Sequence, residues 1–245
     1  MVTNIVFLSK KVREGTKPNA LKHDNGGFLL AKKKRFTGFR VLPLWKIKRN
    51  MITSLSQLDL DKSYTYADYL LWQFEERVEL IKGKILQMAA PSRAHQQVTT
   101  NLIVILGNAL RHSPCKVFPA PFDVRLPHFS QKKNKDVVTV VQPDISVICD
   151  PAKLDDRGCI GAPDIVIEIL SPGNSKREMK DKFSIYEESG VLEYWIISLS
   201  QKAIQVFRLN EQGKYYGTQP FVEGDNLTTP ILPGINILLN EVFLD

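Results

Sequence analysis

Ile165-Val166-Ile167-Glu168-Ile169-Leu170-Ser171-Pro172 sets a single carboxylate inside an apolar run that Pro172 brings to a close. The β-branched residues favour a buried strand, and proline ends it. A carboxylate in such a run loses hydration unless it is paired or binds a cation. Twenty-odd residues upstream the situation repeats, with Asp144 inside Val140-Val141-Gln142-Pro143-Asp144-Ile145-Ser146-Val147. Two such groups on neighbouring strands repel each other, and a divalent cation relieves both the lost hydration and the repulsion. The competing reading puts each side chain at a strand end, facing solvent or paired with a lysine.

Downstream, the pattern predicts a helix from about Lys176 to Ser189, closed by Gly190. Glu178, Lys182 and Tyr186 fall on one stripe, beside an apolar stripe of Met179, Phe183 and Tyr186. Lys182 either pairs with Glu178 at the surface, for about 0.2–0.5 kcal/mol, or is aimed at the two carboxylates. Strands are expected at 193–198 and 203–209, and the apolar tail 230–245 is expected to pack back on the core.

Upstream of Asp144, residues 66–72 read as a short helix. Residues 78–81 and 84–88 read as a hairpin turning at Lys82-Gly83. A long helix spans about 94–111, with Val98, Leu102, Ile105, Leu106, Ala109 and Leu110 at helical spacing. Lys116–Leu126 and Val137–Cys149 are the two strands expected before Asp164–Leu170, with loops at 131–136 and 150–161. This order predicts an α/β fold, a mixed sheet flanked by helices and preceded by a helix and hairpin, in one domain over 51–245.

Net charge is +7, yet residues 1–50 carry 13 Lys/Arg against 2 Asp/Glu, whereas 51–245 carry 20 against 24. The basicity therefore belongs to the first segment, read as a disordered or mis-started extension, with a phosphate-tracking arm as the competing reading. The domain itself is mildly acidic, so its charge does not argue for nucleic acid. Three cysteines (Cys115, Cys149, Cys159), none in CxxC spacing, exclude the usual zinc modules and are read as excluding a disulfide framework. With no apolar run long enough for a signal peptide or membrane span, the expectation is a cytoplasmic protein. None of the 14 glycines forms GxG, and GxxxxGK[ST], HExxH and GxSxG are absent. Dinucleotide enzymes, P-loop enzymes, zincins and serine hydrolases leave the leading candidates.

Gln142-Pro143-Asp144, then Pro163–Pro172, then Lys182-x3-Tyr186-x3-Gly190-Val191-x-Glu193-Tyr194-Trp195 closely resembles the Uma-type restriction endonuclease family, abundant in cyanobacteria, of the PD-(D/E)xK nuclease superfamily. The likeness extends upstream to Glu79-Leu80-Ile81-x-Gly83, Pro91-Ser92-x2-His95-Gln96 and Phe122–Leu126, and so covers roughly 60–245. It implies a restriction-endonuclease-like core and Mg²⁺-dependent cleavage of DNA, with Mn²⁺ as a substitute. By resemblance, Asp144, Glu168 and the backbone carbonyl of Ile169 hold the metal. The superfamily lysine normally sits two residues after the Glu, where this chain has Leu170. As elsewhere in the family, its role is implied to have moved to Lys182. Glu79 is implied as a further metal contact or base. His95 is implied as an acid/base or phosphate ligand, or else as a helix-entry residue bonding the loop. Asp123 also matches, in a supporting role. Glu178 stands where the family more often has Asp, and Gly173-Asn174 replace the usual Ser-Thr. A homodimer that cuts both strands is expected by resemblance alone. A nucleic-acid-binding protein that keeps the fold with little turnover is the competing class, and a small-molecule phosphoesterase is not separable by sequence.

Overall fold

Thr65 opens the first α-helix of the described residues: its hydroxyl accepts the Asp68 N–H and caps α1 (Tyr66–Tyr69). The hairpin of β1 (Val78–Ile81) and β2 (Lys84–Gln87) follows. It turns at Lys82 and Gly83 with φ of 50° and 83°, the left-handed pair that matches strand twist. A Cβ at Gly83 would collide with Ser63. Ser92 caps α2 (Arg93–Ala109) by accepting the His95 N–H at 3.2 Å. This computed structural model describes residues 51–127, 133–171 and 176–244, without the side chains of Lys176 and Arg177. The basic segment 1–50, Gly173-Asn174 and part of the expected 131–136 loop lie outside the described residues.

Two expected strands are each divided. Lys116–Leu126 becomes β3 (Lys116–Pro119) and β4 (Val124–Arg125), which join different sheets. Pro119 and Pro121 supply no N–H to a ladder, and the Ala120–Pro121 peptide is cis. Val137–Cys149 becomes β5 (Val140–Val141) and β6 (Ile145–Ile148), parted at Pro143 for the same reason. The expected loop 150–161 holds a 3-10 turn and the hairpin β7 (Leu154–Asp155), β8 (Gly158–Ile160). Beyond it, β9 (Ile165–Leu170), α3 (Lys176–Ser189), β10 (Glu193–Ser198) and β11 (Ala203–Leu209) agree with expectation, and Gly190 ends α3 at φ 84°. β12 (Tyr215–Gly217), β13 (Asn226–Thr228), β14 (Asn236–Leu238) and α4 (Leu239–Val242) complete the chain. The tail does pack back, burying Leu232, Ile237, Leu239 and Val242.

Instead of one sheet there are two of six strands, ordered β2-β1-β5-β4-β8-β7 and β12-β11-β10-β9-β6-β3, plus the β13-β14 pair. In the second sheet β9 and β10 are parallel, joined by α3 as crossover. Alternation along β9 sends Ile165, Ile167 and Ile169 into a core shared with Val98, Leu102 and Leu106 of α2. Val166 faces the other way, with Ile185 and Tyr186 of α3. Glu168 shares that second face and so meets α3 directly.

The cysteine reading is corrected. Cys115 and Cys149 form a disulfide, and Cys159 is free and buried. The antiparallel register Lys116↔Ile148 sets the next residues out, 115 and 149, opposite each other. A gap of 34 residues in sequence carries no sign of that pairing. Among the described residues no helix is long and apolar enough to cross a membrane.

Candidate active site

Register brings the two strand carboxylates together. Ile145 pairs with Ile167 across β6 and β9, so Asp144 and Glu168 stand opposite each other at the next step. Pro143 cannot extend the ladder, and the Asp144 side chain takes over: its Oδ2 accepts the Ile169 N–H at 2.8 Å. The same oxygen lies 3.1 Å from His95 Nε2, near the start of α2. His95 is buried, and among the described residues its Nδ1 has no hydrogen-bond partner.

α3 delivers the cation. Lys182 Nζ lies 3.0 Å from Glu168 Oε1 and 3.2 Å from Glu79 Oε1. It is thus no surface partner of Glu178, since its side chain is only 7% exposed. One helical turn on, the Tyr186 hydroxyl donates to Glu168 Oε1 at 2.6 Å. Glu79 reaches the site from β1 of the first sheet and accepts, at 2.8 Å, the N–H of Gln142, which follows β5 of the same sheet. Glu79 Oε2 sits 3.1 Å from Lys182 Nζ as an ion pair and, among the described residues, is buried without a hydrogen-bond partner.

Burial raises the Glu168 carboxyl to about 7, against the lowering pull of Lys182 and with Asp144 and Glu79 adding to the rise. Lys182 moves up despite its own burial, because Glu168 and Glu79 stabilise its charge. The Tyr186 phenol is pushed well above its ordinary value by burial and by Glu168. Lys182 is therefore a permanent cation at neutral pH and not a proton acceptor.

Two carboxylates on one lysine, with Asp144 nearby, leave the site short of positive charge. Among the described residues Asp144 Oδ1 and Glu168 Oε2 make no hydrogen bond, so each strand keeps an oxygen for a cation. Hard oxygen donors of this kind suit Mg²⁺ or Mn²⁺. Among the described residues no group of three His, Cys, Asp or Glu side chains forms a ready metal cage. The set implied by resemblance supplies two side-chain carboxylates and leaves the third protein donor to the Ile169 backbone. A cleft of about 340 Å³, lined by Asp144, His95, Arg77, Gln96, Thr100 and Ser171, opens beside it.

The five residues expected from sequence fall in two adjacent groups, His95 with Asp144 and Lys182 with Glu79 and Glu168, linked where Asp144 accepts the N–H of Ile169, the residue after Glu168. Asp123 stands apart, accepting from Tyr66, Tyr69 and Gln142 at 3.2, 3.4 and 2.9 Å, as befits support. Sequence reasoning gave no role to Tyr186, although its position four residues after Lys182 puts both on one helix face. It also missed Gln142, which binds Glu79 by its backbone and Asp123, Tyr69 and Arg77 by its amide.

Mixed sheets flanked by a few helices in this order make the restriction-endonuclease-like fold. The profile of the Uma2 family, described as "Putative restriction endonuclease", matches residues 66–240, and the chain belongs to that family. The solved structure of a "putative nuclease belonging to DUF820" from Anabaena variabilis shares the fold. Its TM-score is 0.58 at 20% identity, over 74% of this chain and 97% of that one. Two uncharacterised Synechocystis proteins, slr1290 and sll1609, are each 26% identical over 151 and 140 residues, covering 60% and 56% of this chain and 75% of each relative.

Proposed function

We propose that this protein is a Mg²⁺-dependent endonuclease that hydrolyses DNA phosphodiester bonds. The observation that carries the reading is the position of Lys182 Nζ, 3.0 Å from Glu168, in a chain whose superfamily lysine position holds Leu170. Family membership supports a nuclease-like function at the coarser level. Asp144, Glu168 and the Ile169 carbonyl would hold the metal, which when bound polarises the phosphoryl oxygen and lowers the pKa of a water. Mn²⁺, with the same oxygen preference, is expected to substitute.

The chain's own residues supply the rest. The Ile169 N–H and His95 fix the Asp144 carboxylate from one side. Tyr186 and Lys182 hold Glu168 Oε1 from the other, leaving its second oxygen for the metal. Lys182, permanently charged, orients the attacking water and offsets charge building on the phosphorane. Glu79 anchors Lys182 through Oε1, which also accepts the Gln142 N–H, and in this reading its part is to hold the lysine in place. His95, buried against Asp144, is a positioning residue in this reading.

A homodimer would allow both strands of the DNA to be cut. The test is nicking of supercoiled plasmid and of single-stranded DNA by the full chain in Mg²⁺, Mn²⁺ or EDTA, beside Asp144→Ala. Metal-dependent nicking lost in the variant is expected. Equal nicking by Asp144→Ala would reject the assignment, and DNA binding with no metal-dependent cleavage would favour the accessory-protein reading.

A further inference from the structure

Arg77 is a half-buried guanidinium on the wall of the cleft that Asp144 and His95 also line. Among the described residues it has no carboxylate partner. Among the described residues its side chain is bonded by Gln142 alone, whose amide oxygen lies 3.1 Å from Nη2 and 3.4 Å from Nε. A neutral acceptor fixes the fork without spending its charge. The cations that meet carboxylates elsewhere behave differently: Arg125 pairs with Asp155, Arg208 with Glu193 and Lys182 with two glutamates.

Gln142 can hold Arg77 this way because its own orientation is fixed. Its Nε2 donates to Asp123 at 2.9 Å and to Tyr69 at 3.2 Å, which turns Oε1 toward Arg77. Gln142 also lies two residues before Asp144, so the clamp and the catalytic carboxylate share one short segment. Nη1 makes no bond to the described protein and keeps both its donors. A guanidinium held in this manner suits the oxygens of a phosphate, which it can grip through two parallel bonds. The cleft carries the opposite requirement to the metal site: an incoming strand brings anionic phosphates toward carboxylates, and some cation must receive them.

We infer that Arg77 is a substrate-positioning residue that binds a backbone phosphate of the nucleic acid, beside the one being cut, with Gln142 setting its direction. This deepens and rests on the nuclease reading. The contact neutralises about one phosphate, so it contributes affinity and salt dependence without touching the reacting atoms.

The test is binding of a short fluorescein-labelled DNA duplex to the full chain in Ca²⁺, by anisotropy, between about 50 and 200 mM salt. Arg77→Ala should weaken binding about tenfold and lower the slope of log affinity against log salt by about one. Arg77→Lys should keep that slope while recovering part of the affinity, and Lys116→Ala, an exposed cation at the far end of β3, should match wild type. Thermal melting of each variant reports on folding, and Arg77→Lys guards against collapse of the Gln142 network. In cleavage assays Arg77→Ala should raise KM more than it lowers kcat. Unchanged affinity and slope in both Arg77 variants, with wild type binding DNA, would overturn the role of Arg77 and leave the nuclease reading standing. Failure of wild type to bind DNA at all would overturn both.

Discussion

Replacing Lys182 by Met keeps the volume of the side chain and removes its charge from between Glu79 and Glu168. The lysine side chain is 7% exposed, and those of its partners are 1% and 12% exposed, so water cannot replace it. Removing one member of a buried ion pair costs about 3–5 kcal/mol, because the charge left behind is uncompensated. For a domain of this size, each kcal/mol lowers Tm by about 2–4 °C, so the metal-free variant should melt about 6–20 °C below wild type. Glu168 limits the loss by taking up a proton, which its raised pKa makes easy. The double variant Lys182→Met/Glu168→Gln should therefore be less destabilised than the sum of its parts, with a coupling of at least about 1 kcal/mol. Added Mg²⁺ should recover more stability in Lys182→Met than in wild type, as the cation stands in for the ammonium. Thermal and urea melts in EDTA and in Mg²⁺ supply these numbers. A single variant within about 1 kcal/mol of wild type, with additive double-variant energies, would mean that Lys182 does not bridge the carboxylates.

Three further outcomes follow from the same geometry. In EDTA, native Glu168 keeps its proton up to about pH 7, whereas the unfolded chain releases its own near 4.5. Stability should therefore fall as pH rises between those values and level off above; Glu168→Gln should flatten this part of the Tm–pH curve, and an unchanged decline would be contrary. Tyr186→Phe removes the 2.6 Å bond to Glu168 and should cost about 1.5–3 kcal/mol in urea melts. A loss below about 0.5 kcal/mol would mean that the hydroxyl does not hold the carboxylate. Thiol titration should find one reactive cysteine of three in denatured, unreduced protein and three after reduction. In the native state Cys159, buried and with its thiol pushed up to about 11 by that burial, should react slowly. Three thiols without reduction would restore the expectation of a reducing compartment.

Much of the site was legible because its residues violate the local pattern. Asp144 and Glu168 are carboxylates inside apolar runs of sequence, the first just before β6 and the second within β9, and Lys182 lies on a helix stripe leading toward them. Glu79 and His95 were reachable only by resemblance, since nothing in their own segments marks them. The hairpin, α2, α3 and the β9–β10 strands were readable from periodicity and turn residues. The division of Lys116–Leu126 was missed although Pro119 and Pro121 were in view, because apolar character was weighed above the missing N–H donors. The disulfide was missed because an odd cysteine count was taken as an argument against any pair, and strand register is invisible before strands are paired. Gln142 and Arg77 meet across 65 residues of sequence, so no local pattern exposes their contact.

The account stands or falls on a lysine that acts from a helix and not from the strand. The most direct measurement is the rate of Mg²⁺-dependent plasmid nicking by the full chain, by Lys182→Ala, and by Lys182→Ala/Leu170→Lys, which returns a lysine to the strand position two residues after Glu168. Loss of at least about a hundredfold in Lys182→Ala is predicted, the scale of removing one charge-stabilising group from a transition state, with partial recovery in the double variant. Full activity in Lys182→Ala would contradict the claim.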